Sequence, residues 1–286
     1  MPLLNSRDVN FIKLKALKRE YLADFCNANS VPWSANLADT IEAVLQKIDT
    51  RVIPALTLNN FIKNKFQQLR QLSIAATGAT HHAIITELEK VDSHIWGMVQ
   101  GAVDAHIQAN YVRKYFKYDD IINAVRSTLY STIESYTLCT WYNHWSTEII
   151  EDLIAGVPNV IPVIKKVKGV DIIWNEQPVD IKVTNLNREW FSDGHTIEEA
   201  INNPILASEY FYRLQGAQRF GSDNRLFIVI YDKTNPSESW KIKRDYNLLK
   251  SSITAFFSQN VSLDPVTFQY GNTQHHAYSK ILFITR

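Results

Sequence analysis

The amino-acid sequence predicts a mixed α/β fold, in which a helical N-terminal region precedes a mixed β-sheet flanked by helices. Up to about residue 140, apolar residues recur at three- and four-residue spacing, in segments such as LADTIEAVLQKI and LNNFIKNKFQQLRQL. This spacing is typical of amphipathic helices. Beyond that point, short runs rich in Val and Ile alternate with helical segments, which predicts helices packed on a sheet. We therefore expect a helical region at 1–140 and a sheet-containing core at 141–286.

Composition narrows the class of protein. With 286 residues, 45% of them hydrophobic, the chain can build a sizeable core. The 30 Lys and Arg residues balance 29 Asp and Glu residues, so the total charge does not indicate a strongly basic nucleic-acid-binding protein. Cys26 and Cys139 are far apart, which argues against a disulfide framework and fits a reducing compartment. No apolar run has the length of a membrane helix. We expect a cytoplasmic protein without a membrane partner.

The second half of the chain has a definite order of elements. STEIIEDLIAG is a predicted helix with Ser146 or Thr147 as its N-cap. Three predicted strands follow, NVIPVIKKV, GVDIIW and QPVDIKVTNL. Thr196 and Glu199 form a predicted capping box at the next helix, whose second segment starts near Pro204. The next segment, RLFIVIYD, is typical of a central strand. The last two predicted elements are a helix at YNLLKSSITAFFSQ and a strand at KILFIT.

Three charged residues interrupt the second and third predicted strands, namely Asp171, Asp180 and Lys182. Side chains alternate between the two faces of a strand, so Asp180 and Lys182 point the same way, and Ile181 points the other way. A desolvated charge is unfavourable unless another group compensates it. These three residues are therefore the main candidates for a functional site.

Two registers of the predicted hairpin give different sites. If the turn is centred on Asn175 and Glu176, opposed residue numbers sum to 351 and Asp171 lies across from Asp180, at roughly 5 Å. Two carboxylates at that separation need a cation, and a divalent metal with oxygen ligands, magnesium in particular, meets that need. If the loop covers residues 175–178, Asp171 faces Lys182 in an ordinary ion pair instead.

The residues GVD, eight intervening residues and then DIK, preceded by a helix that carries Glu, resemble the signature of the PD-(D/E)xK nuclease superfamily. Among its members the chain looks most like type II restriction endonucleases. The resemblance covers roughly residues 144–232, where the elements follow the order of that superfamily's core. It implies a restriction-endonuclease-like mixed sheet. Val170 stands where the motif has proline, which makes the match less specific.

The resemblance also implies roles for individual residues. Asp171 and Asp180 would bind one or two Mg²⁺ ions per active site, together with the backbone carbonyl of Ile181. Lys182 would position or activate the attacking water. A further acid would come from the preceding helix, where Glu148, Glu151 and Asp152 share one face. We favour Glu148, with Glu151 second.

DNA contacts are expected in the segment that leaves the third strand. Thr184, Asn185, Asn187 and Arg188 are residue types that reach base edges or phosphates. Alternatively, this segment is only a polar connection. Nearby basic residues could neutralise phosphates or simply solvate the surface; they are Lys165, Lys166, Lys168, Arg213, Arg219 and Arg225.

By the resemblance, the chain is expected to cleave double-stranded DNA at a short specific sequence, to leave 5′-phosphate ends and to act as a homodimer. Two alternatives stay open. One is another nuclease of the same superfamily, acting in repair, recombination or RNA processing. The other is a non-enzymatic α/β binding protein in which Asp171 and Lys182 form an ion pair.

Overall fold

The computed structural model describes residues 3–93, 102–186, 188–214, 224–259 and 261–286. It confirms the mixed α/β fold, with helices preceding a six-stranded mixed sheet. The chain forms two compact units, one of residues 1–79 together with 151–286, and one of residues 80–150. The first four helices therefore belong to the same unit as the sheet.

Twelve α-helices are described. They are α1 (Ser6–Lys15), α2 (Arg19–Ala28), α3 (Leu37–Asp49), α4 (Ala55–Thr77), α5 (His81–Leu88), α6 (Val103–Ile107), α7 (Tyr118–Ala124), α8 (Tyr130–Ala155), α9 (Arg188–Ser192), α10 (Ile197–Asn202), α11 (Pro204–Leu214) and α12 (Tyr246–Ser258). The π-helical segments Gln108–Val112 and Val125–Leu129 follow α6 and α7, and a 3₁₀ helix spans Pro236–Arg244. Among these helices, none combines the length and apolar character that crossing a membrane requires.

The helix boundaries agree with the sequence analysis in one place and differ in another. Thr196 caps α10, since its hydroxyl accepts a hydrogen bond from the Glu199 N–H, and α11 begins at Pro204. The predicted N-cap at Ser146 or Thr147 is wrong, because α8 begins at Tyr130 and continues through both residues. The Ser146 hydroxyl donates to the Asn143 carbonyl within the helix, as serine can do in a helix interior.

The strands are β1 (Val160–Val167), β2 (Val170–Trp174), β3 (Gln177–Thr184), β4 (Asn224–Tyr231), β5 (Asp264–Tyr270) and β6 (Thr273–Thr285). Their order in the sheet is β1-β2-β3-β4-β6-β5. The pairs β1–β2, β2–β3 and β5–β6 are antiparallel, and β4 is parallel to both β3 and β6. β4 is the predicted central strand, and seven of its eight residues are buried. β5 was not predicted from the sequence.

Two apolar clusters cover one face of the sheet at different strands. At β1 and β2, Ile161 and Ile173 pair with each other and pack against α1 to α4. At β4 and β6, Phe227 and Ile281 pair and pack against α10 and α11. The strand pairings and the alternation of side chains place Ile173 and Phe227 on the same face. The stretch of β2 and β3 between the two clusters on this face carries charged residues.

Helix α1 holds the turn between β2 and β3. The Lys13 side chain is fully buried, and its ammonium forms an ion pair with the half-exposed carboxylate of Glu176 in the turn. Next to it, the Leu4 N–H donates to Gln177 Oε1 at 2.9 Å, and Gln177 Nε2 donates to the Leu4 carbonyl at 3.2 Å. Burial lowers the pKa of Lys13, and the ion pair with Glu176 opposes this shift. The hairpin is therefore anchored at its turn by a buried charge.

The second unit consists of α5 to α7 and the greater part of α8. Within it, the Tyr111 hydroxyl lies 2.9 Å from the Thr128 hydroxyl, which connects the two π-helical segments. Phe116, Tyr118 and Tyr130 are exposed aromatic residues of this unit.

We predict that Glu176→Gln destabilises the protein by about 1–3 kcal/mol, because the buried Lys13 ammonium loses its compensating charge. Urea unfolding of both proteins measures this difference. Glu198→Gln is the matched control, since Glu198 forms an exposed ion pair with Lys233 and its loss should have a much smaller effect on stability. Equal destabilisation by the two substitutions would contradict the prediction.

Candidate active site

In the hairpin of β2 and β3, the numbers of opposed residues sum to 351, as in the first of the two predicted registers. Trp174 pairs with Gln177 and Ile172 pairs with Val179, which leaves a two-residue turn. Asn175 and Glu176 in this turn have φ values of 49° and 57°, as a type I′ turn requires. Continuing the register past Ile172 and Val179 places Asp171 across from Asp180. The register that would oppose Asp171 to Lys182 is not formed.

At the end of this hairpin, the Asp171 side chain accepts a hydrogen bond in place of a backbone carbonyl of β2. Paired residues end at Ile172 and Val179, and beyond them the Ile181 N–H donates to Asp171 Oδ2 at 2.8 Å. The N–H and carbonyl of a strand residue project to the same side of the strand. The Ile181 carbonyl therefore faces β2 as well, at the position where the regular ladder has ended.

Asp180 is paired with a cation from the neighbouring strand. Arg225 lies beside Asp180 in the parallel register of β3 and β4, and its Nε donates to Asp180 Oδ2 at 2.7 Å. The Arg225 side chain is 6% exposed and that of Asp180 is 21% exposed. The sequence analysis treated Arg225 as a residue that could neutralise phosphates or simply solvate the surface. In the structure it balances one of the two opposed carboxylates.

The environment of Asp171 disfavours its charged form. Burial raises the pKa of the Asp171 carboxyl, and the negative charge of Asp180 raises it further. The hydrogen bond from Ile181 and the positive charges of Lys166 and Arg225 act in the opposite direction. Asp171 and Asp180 are thus close enough to repel each other, as their opposed positions require.

Lys182 lies two residues beyond Asp180 and beside Phe227 of β4, so it shares a face with Asp180 and Arg225. A second lysine, Lys243 in the 3₁₀ helix, is buried and lies within electrostatic range of Lys182. Burial lowers the pKa of Lys243 to about 8, and the charge of Lys182 acts in the same direction. The sequence analysis missed Lys243, because its distance from the motif along the chain gives no local signal.

The helix acids are distributed between the two compact units. Glu148 belongs to the unit of residues 80–150, whereas Glu151 and Asp152 belong to the unit that contains the sheet. Asp152 Oδ2 accepts a hydrogen bond from Nε of Arg70, and both side chains are largely buried. Among the described residues, no group of three or more His, Cys, Asp and Glu side chains is arranged to hold a metal ion. The roles of Glu148 and Glu151 as further ligands stay predictions.

The segment expected to contact DNA is short. Thr184 ends β3, its hydroxyl donates to the Asn185 carbonyl at 3.2 Å, and α9 begins at Arg188. Asn185 and Arg188 are exposed, and Thr184 is half-buried. Asn187 and Arg219 lie outside the described residues.

Comparison with known proteins adds no assignment: no family model, no curated protein and no solved structure matches this chain.

We predict that Lys243 makes stability depend on pH in the alkaline range. Its folded-state pKa of about 8 lies below the ordinary value of 10.5, so between these values the unfolded chain binds more protons than the folded chain. The unfolding free energy of the wild type should therefore rise relative to that of Lys243→Met as the pH rises from 8 to 10.5, by up to about 3 kcal/mol. Below pH 8 the difference between the two proteins should be constant.

Denaturant unfolding at a series of pH values measures this difference. Lys233→Met is the control for loss of a lysine, since Lys233 is exposed and lies close to the same segment of chain. The prediction fails if the wild type and Lys243→Met show parallel pH dependence across this window.

Proposed function

We propose that this chain is a magnesium-dependent endodeoxyribonuclease of the type II restriction class, which hydrolyses double-stranded DNA at a short specific sequence and leaves 5′-phosphate ends. The observation that carries the proposal is the register of the β2–β3 hairpin, which ends at Ile172 and Val179 and, continued by one residue, opposes Asp171 to Asp180. The charge of Asp180 acts on the pKa of Asp171. Lys182 follows on the same face. These are the three residues of the motif on which the resemblance to PD-(D/E)xK nucleases rests.

The donor groups of the site suit a hard divalent cation. Asp171 Oδ2 and Asp180 Oδ2 each take part in one hydrogen bond, and neither Oδ1 atom forms a hydrogen bond with the described residues. Two carboxylate oxygens and the Ile181 carbonyl, which faces β2 beyond the last paired residues, are oxygen ligands of the kind that Mg²⁺ prefers. Asp171, Asp180 and Ile181 would hold the ion. A bound Mg²⁺ would supply Lewis acidity and lower the pKa of a coordinated water.

The chain's own residues would supply the remaining interactions. Asp171 and Asp180 would provide the negative charge that attracts a divalent cation to this face. Lys182 places a positive charge on the same face, where it would orient the attacking water or stabilise the charge that develops on the phosphate. Lys166, whose charge reaches Asp171, would add to the attraction of the DNA backbone.

Substrate contacts and assembly follow from the same proposal. Thr184, Asn185, Asn187 and Arg188 would contact DNA, because they follow Lys182 within six residues of the sequence. A homodimer would present two equivalent sites to a palindromic duplex, since a two-fold axis relates both the protein and its target.

We predict that Asp171→Asn lowers the rate of magnesium-dependent plasmid cleavage by on the order of a hundredfold or more, because it removes one ligand charge. The amide oxygen of asparagine can still accept the Ile181 N–H, so the fold of the hairpin should persist. Lys182→Met should reduce cleavage by a similar order.

Asp264→Asn is the matched control. Asp264 is a half-buried acid in the same sheet that pairs with Lys280 at 2.9 Å, and its loss should leave the cleavage rate unchanged. The active-site assignment would be overturned if Asp171→Asn and Lys182→Met both cleaved at the wild-type rate. Discrete fragments of phage DNA support site-specific cleavage, whereas smearing or structure-dependent nicking indicates another nuclease of the superfamily.

The Asp180–Arg225 ion pair favours one second candidate, a non-enzymatic α/β binding protein in which the internal cation alone balances the carboxylates. Calorimetric titration with Mg²⁺ separates the two. The nuclease should release or absorb binding heat that disappears in Asp171→Asn, whereas the binding protein should show no heat that depends on Asp171.

A further inference from the structure

Arg225 is held rigidly beside the candidate metal ligands. Besides its hydrogen bond to Asp180, its guanidinium carbon lies 5.9 Å from the ring centre of Tyr212 and 5.8 Å from that of Phe227. Phe227 is fully buried and Tyr212 is 1% exposed. A guanidinium that contacts buried aromatic rings at these distances gains cation–π stabilisation. The cation is thus part of the packed core rather than a mobile surface charge.

Positive side chains of the sheet compensate the two carboxylates. Arg225 pairs with Asp180, Lys182 lies on the same face, and the charge of Lys166 reaches Asp171. Arg225 also acts on Asp171, since its charge opposes the rise in the pKa of that carboxyl. The arrangement therefore tolerates the closeness of two carboxylates, which would otherwise be destabilising.

We propose that Arg225 is the resident counter-ion of Asp180 in the metal-free protein, and that a divalent cation binds to this site in competition with it. The inference rests on the proposed function, because it assigns Asp171 and Asp180 as the ligands. Arg225 is then a positioning residue: it holds the Asp180 carboxylate in place through its Nε hydrogen bond, and it sets how tightly the site takes a divalent ion.

Removal of the guanidinium charge should strengthen metal binding. A positive charge that is hydrogen-bonded to one of the ligands repels a divalent ion bound there, even at the effective dielectric constant of protein sites. We expect Arg225→Met to bind Mg²⁺ at least tenfold more tightly than the wild type in calorimetric titrations, and Arg225→Lys, which keeps the charge, to bind close to the wild-type affinity.

The matched control is Arg286→Met. Arg286 pairs with the buried Asp232, just beyond the other end of β4, at 2.6 Å, so its loss tests for a general effect of breaking an Arg–Asp pair. Its Mg²⁺ affinity should equal that of the wild type. Unchanged or weaker binding by Arg225→Met would overturn the inference, as would an equal gain in Arg286→Met.

A measurement on the wild type keeps the inference testable if Arg225→Met does not fold. In metal-free protein labelled with ¹⁵N-arginine, the Arg225 Nε–H should give a signal protected from exchange with water, since it is buried and bonded to Asp180. Mg²⁺ should shift this signal as Asp180 is shared with the metal, at the concentrations that produce the binding heat. A signal that does not move while the heat saturates would contradict the competition.

Failure of this inference differs from failure of the proposed function. If the wild type cleaves DNA and this cleavage depends on Asp171, but Arg225→Met gains no metal affinity, the proposed nuclease function is supported and the proposed role of Arg225 is rejected. If neither the wild type nor Arg225→Met binds Mg²⁺, both are overturned. Tighter binding by Arg225→Met without any DNA cleavage by the wild type supports the counter-ion and rejects the nuclease.

Discussion

The closeness of two carboxylates on adjacent strands is the constraint around which this sheet is organised. The two-residue turn at Asn175 and Glu176 sets the register, and that register alone opposes Asp171 to Asp180. Like charges at such positions are unfavourable, and burial makes them more so. Two hydrogen bonds offset this repulsion: Arg225 donates to Asp180, and the Ile181 N–H donates to Asp171. Without these partners, the end of the hairpin would be a source of instability in an otherwise apolar sheet.

The rest of the fold keeps this arrangement in place from two directions. At the turn, the buried Lys13 ammonium pairs with Glu176, so a shift of register would separate a buried charge from its partner. At the other side, β4 carries Arg225 in register with Asp180, and Phe227 two residues later packs into the apolar cluster under α11. A slip of either strand by one residue would move these side chains to the opposite face. Apolar packing on both sides of the charged site therefore fixes the strand registers that position its side chains.

Periodicity in the sequence was enough to predict most of the fold, and its failures have local causes. The apolar run of β4 and the capping box at Thr196 identify their elements without tertiary information. The start of α8 was placed too late, because serine and threonine at residues 146 and 147 are cap residues by preference but also occur inside helices, where the hydroxyl bonds to a preceding carbonyl. β5 was missed although its residues Val266 to Tyr270 alternate between apolar and polar, because the run is short and begins with Asp-Pro, a dipeptide that is typical of a turn.

The site was predictable only where its residues are close in sequence. Asp171 and Asp180 are joined by a two-residue turn, so counting residues leaves just two registers to choose between. Arg225 lies 45 residues from Asp180 along the chain, and its partner depends on the parallel pairing of β3 with β4, which a single sequence does not specify. One signal was present: a charged residue at the start of an almost wholly apolar strand must find a partner on a neighbouring strand. That reasoning predicts that Arg225 meets an acid of the sheet. It does not tell which acid, because only the register of the parallel pair decides between Asp171 and Asp180.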